Sequence, residues 1–333
     1  MTQEFQTPFG YMEPEQNPYY KSSQRQNLAR IGFGLLTYLL VTAFLQTALI
    51  LTVSVISPAF YQSDAFQWIL QIVPQYCVGF PIFCLFLFKM PKKAPAKQPL
   101  GKENWFTFLA VAFLLAFFGN LISIFLMAFF EALRGAEITN ALNTYIEELP
   151  PLLTFVTIVV IAPILEELMF RKLIIDRLLP YSEMLAVVTS GLFFGLIHQN
   201  FYQFFYATLL GLLFGLVYVK TGKIWHSILM HMIINFTGSV ISSFFFEVTS
   251  EEAILESSIN PWLMVSGIYN MANYVLIGCG LALLIRKWKE ITLEKTGECT
   301  LSTGTQFKLA WCNAGTICFG VLCALSFVAN LFI

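Results

Sequence analysis

The chain has 333 residues, of which 57% are hydrophobic and 12% charged, with 34 Phe and a mean hydropathy of +0.70. So little polar surface cannot cover a water-facing globule, which excludes an ordinary soluble domain and leaves a polytopic membrane protein with the lipid bilayer as its surroundings. A net charge of −1 offers no basic patch to nucleic acid and no acidic balance to a cationic partner.

Residues 1–29, rich in Gln, Pro and Tyr and without an apolar run, are expected to form a flexible tail. The first apolar stretch starts near Ile31 and is too long for a signal peptide's core, so it is expected to stay as an anchor. Stretches long enough to cross the hydrocarbon follow at 31–57, 66–89, 105–132, 151–172, 184–200, 203–220, 224–247, 262–286 and 308–332. The predicted fold is therefore an all-α transmembrane bundle of about nine spans. It divides into the tail, N-terminal spans over 30–149, a core of four helices over 150–247 and C-terminal spans over 248–333.

Charge in the connections tests this count. Lys21, Arg25 and Arg30 precede the first span, and Lys89, Lys92, Lys93, Lys97 and Lys102 fill the second connection. Arg171, Lys172 and Arg177, then Lys220 and Lys223, then Arg286, Lys287 and Lys289 mark later ones. The alternate connections carry Asp64, then Glu131, Glu137, Glu147 and Glu148 with a single Arg134, then Glu251, Glu252 and Glu256. Every basic connection falls on one side, so the positive-inside rule predicts a cytoplasmic N-terminus, with the C-terminus opposite. Of seven cysteines, six lie in apolar segments and Cys299 in a polar loop, with no metal-ligand spacing.

The chemistry gathers on the fourth, fifth and seventh spans. Glu166 and Glu167 end an apolar run, and adjacent carboxylates are costly in lipid without a partner or a task. Glu167 precedes Arg171 by four residues, the favourable order for an intrahelical ion pair, whereas Glu166 points about 100° away and stays available for chemistry. Pro180 and Ser182 mark a turn between the fourth and fifth spans. An antiparallel hairpin about Ser182 sets Glu166 opposite His198, each about 24 Å along its helix from the turn. His231 and Asn235, four residues apart, share one face at a similar level, and His226 is half a turn out of phase. Gly191 with Gly195, and Gly211 with Gly215, have the spacing that lets helices approach in lipid. Pro163 is expected to bend the fourth helix beside the site.

The succession Glu166-Glu167-x-x-x-Arg171, Phe194-x-x-x-His198 and His231-x-x-x-Asn235 resembles the CPBP family, which holds the type II CAAX prenyl endopeptidases and bacterial proteins linked to bacteriocin processing and self-immunity. The resemblance covers roughly residues 150–240. It implies an intramembrane endopeptidase of the glutamate type, also described as a metalloprotease, acting on a membrane-associated protein or peptide and placed in the plasma membrane of a prokaryote. On that reading Glu166 and His198 activate a water, His231 and Asn235 stabilise the oxyanion, and Glu167, Arg171 and Phe194 support them. No cofactor is expected. Zinc is the metal that Glu166, His198 and His231 could take, but the zinc-protease His-Glu-x-x-His helix is absent and a ligand role would leave no evident base.

Plainer readings stand beside this one. Glu166, Glu167 and Arg171 could form a structural ion-pair cluster, His198 a packing histidine and Asn235 interhelical glue, while Phe194 reads as core. At the level of function, the alternatives are a non-catalytic scaffold or bacteriocin self-immunity protein with the same fold, and a proton- or ion-coupled transporter. The last would show an internal repeat, and none is visible.

Overall fold

The computed structural model describes residues 6–7, 10–11, 13–249, 260–287, 289, 291–295 and 297–332. Apart from a two-residue pairing of Gln6–Thr7 with Gly10–Tyr11, the described residues build a helical bundle. We number its principal helices α1 (Pro18–Ile56), α2 (Asp64–Leu87), α3 (Lys102–Arg134), α4 (Pro151–Leu178), α5 (Glu183–Leu196), α6 (Phe201–Thr221), α7 (Trp225–Val248), α8 (Pro261–Lys287), α9 (Thr303–Trp311) and α10 (Ala314–Asn330). Local chemistry sets their ends. Asn17, Ser182 and Asn200 cap α1, α5 and α6 with side-chain oxygens. Gly135 (φ 72°) and Gly222 (φ 63°) close α3 and α6 in the left-handed conformation.

Seven described helices are long and apolar enough to cross a membrane, or eight with α9 and α10 taken as one span bent by 61°. The expected fifth span differs. Helix α5 has 14 residues, about 21 Å against roughly 30 Å of hydrocarbon, because the chain turns back at Ile197–Asn200 and Gln199 takes a positive φ of 58°. The tail also differs from expectation. With Asn17 as cap and Pro18 at the first turn, helix α1 starts well before residue 30, and Leu28 and Ala29 are already buried. The acidic connection bearing Glu251, Glu252 and Glu256 lies outside the described residues.

The basic connections meet at one end of the bundle. Lys93 pairs with Glu298 at 3.1 Å, and its backbone N–H donates to Asp176. Gln98 donates to Thr221, Met184 to Glu294 and Cys299 to Pro180 through the backbone. At the opposite end Arg134 donates to the Leu331 and Phe332 carbonyls, so the last helix ends on the face opposite the one where α1 starts, beside Tyr181 and Ser302. Apolar side chains including Leu35, Phe83, Leu87, Phe170, Ile174 and Leu178 fill the half next to the basic connections.

Helices α5 and α6 form an antiparallel hairpin. Gly191 faces Leu212 and Gly195 faces Thr208, each so closely that an added Cβ would clash. Gly211 packs on the Gly191 backbone, and Lys220 bridges to Glu183 at 2.5 Å near the open ends. Small residues thus provide the close approach that the glycine spacing predicts. Helix α4 lies against α5, with Ser190 donating to the Phe170 carbonyl at 2.9 Å and the Phe170 and Phe194 rings in edge contact.

Candidate active site

Helix α4 is not a regular α-helix around its carboxylates. Wide π-type turns at Phe155–Ile161 and Leu168–Ile175 flank the α-helical Ala162–Glu167, and such turns recur at functional positions. Pro163 explains part of this. In the first wide turn the Ala162 N–H reaches back five residues to the Thr157 carbonyl, and the next bond of that pattern would need an N–H that Pro163 lacks. The Ile158 carbonyl so released accepts from Asn235 Nδ2 at 2.9 Å. A neighbouring helix thus satisfies a backbone group freed by proline, as the membrane interior requires.

The two adjacent glutamates face different surroundings. Glu167 and Arg171 are fully buried, and their charges meet at 3.0 Å between Oε2 and Nε without hydrogen-bond alignment. The guanidinium lies over the Phe194 ring, 4.7 Å from its centroid, and 5.7 Å from that of Phe214, a cation–π arrangement suited to a desolvated cation. Glu166 instead keeps 24% of its side chain exposed and lines a cavity of about 1090 Å³.

That cavity gathers the expected residues. Glu166, Phe194, His198, His231 and Asn235 all line it, whereas Glu167 and Arg171 lie behind its wall. His231 sits between the two glutamates, with Nδ1 3.2 Å from Glu167 Oε1 and Nε2 3.8 Å from Glu166 Oε2. The ring nitrogen Nδ1 of His198 is 2.7 Å from the Phe194 carbonyl. A carbonyl can only accept, so Nδ1 carries a proton, and in the neutral ring Nε2 presents a lone pair. Phe194 touches both imidazoles edge-on, at centroid distances of 5.2 Å to His198 and 5.6 Å to His231. It is therefore a wall shared by both histidines and Arg171. His226 is buried against Trp225 at 3.7 Å, away from these groups.

One expected contact is replaced. The sequence register sets Glu166 beside His198, but the imidazole in ion-pair range of Glu166 is that of His231. His198 faces the same cavity from the short end of α5, its Nδ1 tied to its own helix.

Sequence reasoning also left out much of the cavity wall. Tyr38 of α1, Tyr76 of α2, Asn120 of α3 and Asn270 of α8 line it, although no motif marks their helices. The legible signal was the carboxamide side chain in mid-span, which lipid does not accommodate without a partner. Among the described residues no group of three His, Cys, Asp or Glu side chains converges to hold a metal ion.

Comparison with known proteins agrees with the location of these motifs. Residues 148–237 match the family described as type II CAAX prenyl endopeptidase Rce1-like. The chain is also 31% identical over 103 residues to the Bacillus subtilis (strain 168) protein named "Putative membrane peptidase YdiL", a match covering 31% of this chain and 41% of that relative. The chain thus spans less than half the length of the curated relative it matches. No solved structure matches.

Proposed function

From the premise that residues 148–237 carry the CPBP-family core, we propose that the protein is an intramembrane endopeptidase in which Glu166 activates the attacking water. The observation that carries this reading is the unequal placement of two neighbouring carboxylates. Glu167 is sealed against Arg171, while Glu166 opens into a cavity within the bundle.

Each step follows from groups in that wall. His198 Nε2, fixed as an acceptor by the bond at Nδ1, orients a water while Glu166 takes its proton. The water oxygen adds to the peptide carbonyl carbon, and the carbonyl oxygen becomes negative. A proton on His231 Nε2 and the Asn235 amide hydrogen not used by Ile158 stabilise that charge in surroundings poor in water. Glu167, at 3.2 Å from Nδ1, orients the His231 ring. The C–N bond then breaks, and Glu166 returns the proton to the leaving amine. The substrate is a membrane-associated protein or peptide.

The test is turnover of membrane peptides by purified Glu166→Gln protein. Loss of roughly 10²- to 10⁴-fold in kcat is expected for a missing general base, with the melting temperature unchanged. Turnover close to wild type would overturn the assignment.

A further inference from the structure

The cavity wall mixes apolar and polar side chains and is almost uncharged among the described residues. Glu166 is the single Asp, Glu, Lys or Arg in its wall among the described residues, whereas Asn and Gln side chains recur on α1, α2, α3, α6 and α8. Asn120, Asn143 and Asn270 are exposed and make no hydrogen bond among the described residues. Asn120 and Asn270 lie well inside α3 and α8, where an unpaired carboxamide cannot face lipid cheaply. They are suited to water and to the amide groups of an extended peptide, which they can both donate to and accept from.

The same wall defines an entrance. Asn140, Asn143 and Tyr145 come from the short helix Ala141–Glu148 and its cap, on the connection between α3 and α4. That connection leaves α3 at Arg134, on the face where Arg134 holds the C-terminal carbonyls. Toward the other face Phe83, Leu87, Ile174 and Leu178 pack tightly, and the basic connections lie across that end, with Lys93 bonded to Asp176 and Gln98 to Thr221.

We infer that the site is loaded from the face opposite the basic connections, which the positive-inside rule makes the non-cytoplasmic one, by an extended peptide stretch without charged side chains, held through its backbone by carboxamides such as Asn120 and Asn270. The inference rests on the proteolytic reading for the peptide's fate, but the direction of access is independent of it.

Two measurements separate these points. In protein keeping only the buried Cys299 and Cys323, Asn143→Cys and Lys93→Cys are labelled with a membrane-impermeant maleimide in right-side-out and inside-out vesicles. Asn143→Cys should react from the outer face and Lys93→Cys from the inner. Reaction of Asn143→Cys from the Lys93 face would overturn the access route. The second uses the unaltered protein. An impermeant, uncharged fluorogenic peptide should be cleaved by right-side-out vesicles only, and cleavage by inside-out vesicles alone would overturn the inference. Absence of cleavage in both orientations, with labelling as expected, would remove the proteolytic reading and leave the access route standing. Asn120→Ala and Asn270→Ala should each raise KM about threefold to tenfold with kcat unchanged, the loss of a single neutral hydrogen bond. An unchanged KM in both, or equal use of a peptide carrying Lys or Asp at its centre, would refute the substrate class.

Discussion

Glu167 Oε1 lies 3.2 Å from His231 Nδ1, so a carboxylate with no access to the cavity holds the imidazole that lines it. The same carboxylate meets Arg171 at 3.0 Å through its other oxygen. Glu167 therefore links the buried Arg171 to the ring whose far nitrogen faces Glu166.

This linkage separates two phenotypes. Arg171→Leu strips Glu167 of its guanidinium partner and leaves only the His231 contact, and breaking one partner of a buried pair typically costs about 3 to 5 kcal/mol. A marked fall in melting temperature in detergent is expected. Glu167→Gln keeps the shape but weakens the hold on His231, so kcat should fall about 10- to 100-fold while KM stays constant. Unchanged stability for Arg171→Leu together with lost turnover would move Arg171 from support into the site.

Glu166 and His198 line one cavity from different helices and are assigned to one water. Groups that act as a unit are strongly non-additive. Glu166→Gln combined with His198→Ala is thus expected to be no slower than the worse single variant. Rate losses that multiply in the double variant, measured by single-turnover kinetics, would show that the two residues act on separate steps.

The glycines differ in what they permit. A Cβ at Gly211 would lie 2.9 Å from the Gly191 Cα, so Gly211→Ala must push two backbones apart. Such overpacking typically costs about 1 to 3 kcal/mol. At Gly215 the nearest atom is the Ile175 Cδ1 tip at 3.3 Å, which can turn aside. There alanine's better helix propensity, about 1 kcal/mol, offsets the crowding. Thermal unfolding in detergent should show Gly211→Ala destabilised and Gly215→Ala close to wild type.

Outside the membrane, Glu15 fastens the segment before α1 to the start of α9 and its cap Ser302. It accepts from the Thr305 hydroxyl at 2.5 Å and from the Ser302 backbone N–H at 3.0 Å. The Thr305 bond, then the Ser302 bond, holds its carboxyl below the ordinary value of 4.5. A lowered carboxyl pKa contributes stability above the ordinary value, and that contribution is lost as pH falls through the lowered one. Limited proteolysis near residues 291–302 should therefore accelerate below about pH 4.5 in the native chain. Glu15→Gln should already be cleaved quickly at pH 7, and equal rates for both chains at pH 7 would contradict the fastening role.

The sequence by itself determined the membrane class, most of the helices and the side on which the basic connections gather, because lipid imposes length and hydropathy on each span separately. It also determined the Glu167–Arg171 pair, since residues four apart on a helix meet whatever the rest of the chain does. Counting back from the turn at Ser182 also pointed to one site for Glu166 and His198, and both line the cavity.

Only the tertiary structure decided which polar groups touch. Counting residues gives depth but not azimuth, so it could not show that His231, rather than His198, lies in ion-pair range of Glu166. Nor could it show the Asn235 amide filling the gap that Pro163 leaves at Ile158, because that bond joins helices 77 residues apart. The short α5 escaped a hydropathy reading for a related reason. Its continuation through Ile197 is as apolar as a helix, and the reversal there depends on the Asn200 cap and on α6 packing back along α5 through close glycine contacts. The cavity is the extreme case, a volume bounded by the motif residues together with side chains from helices that carry no motif, whose carboxamides gain meaning only when the bundle closes around them.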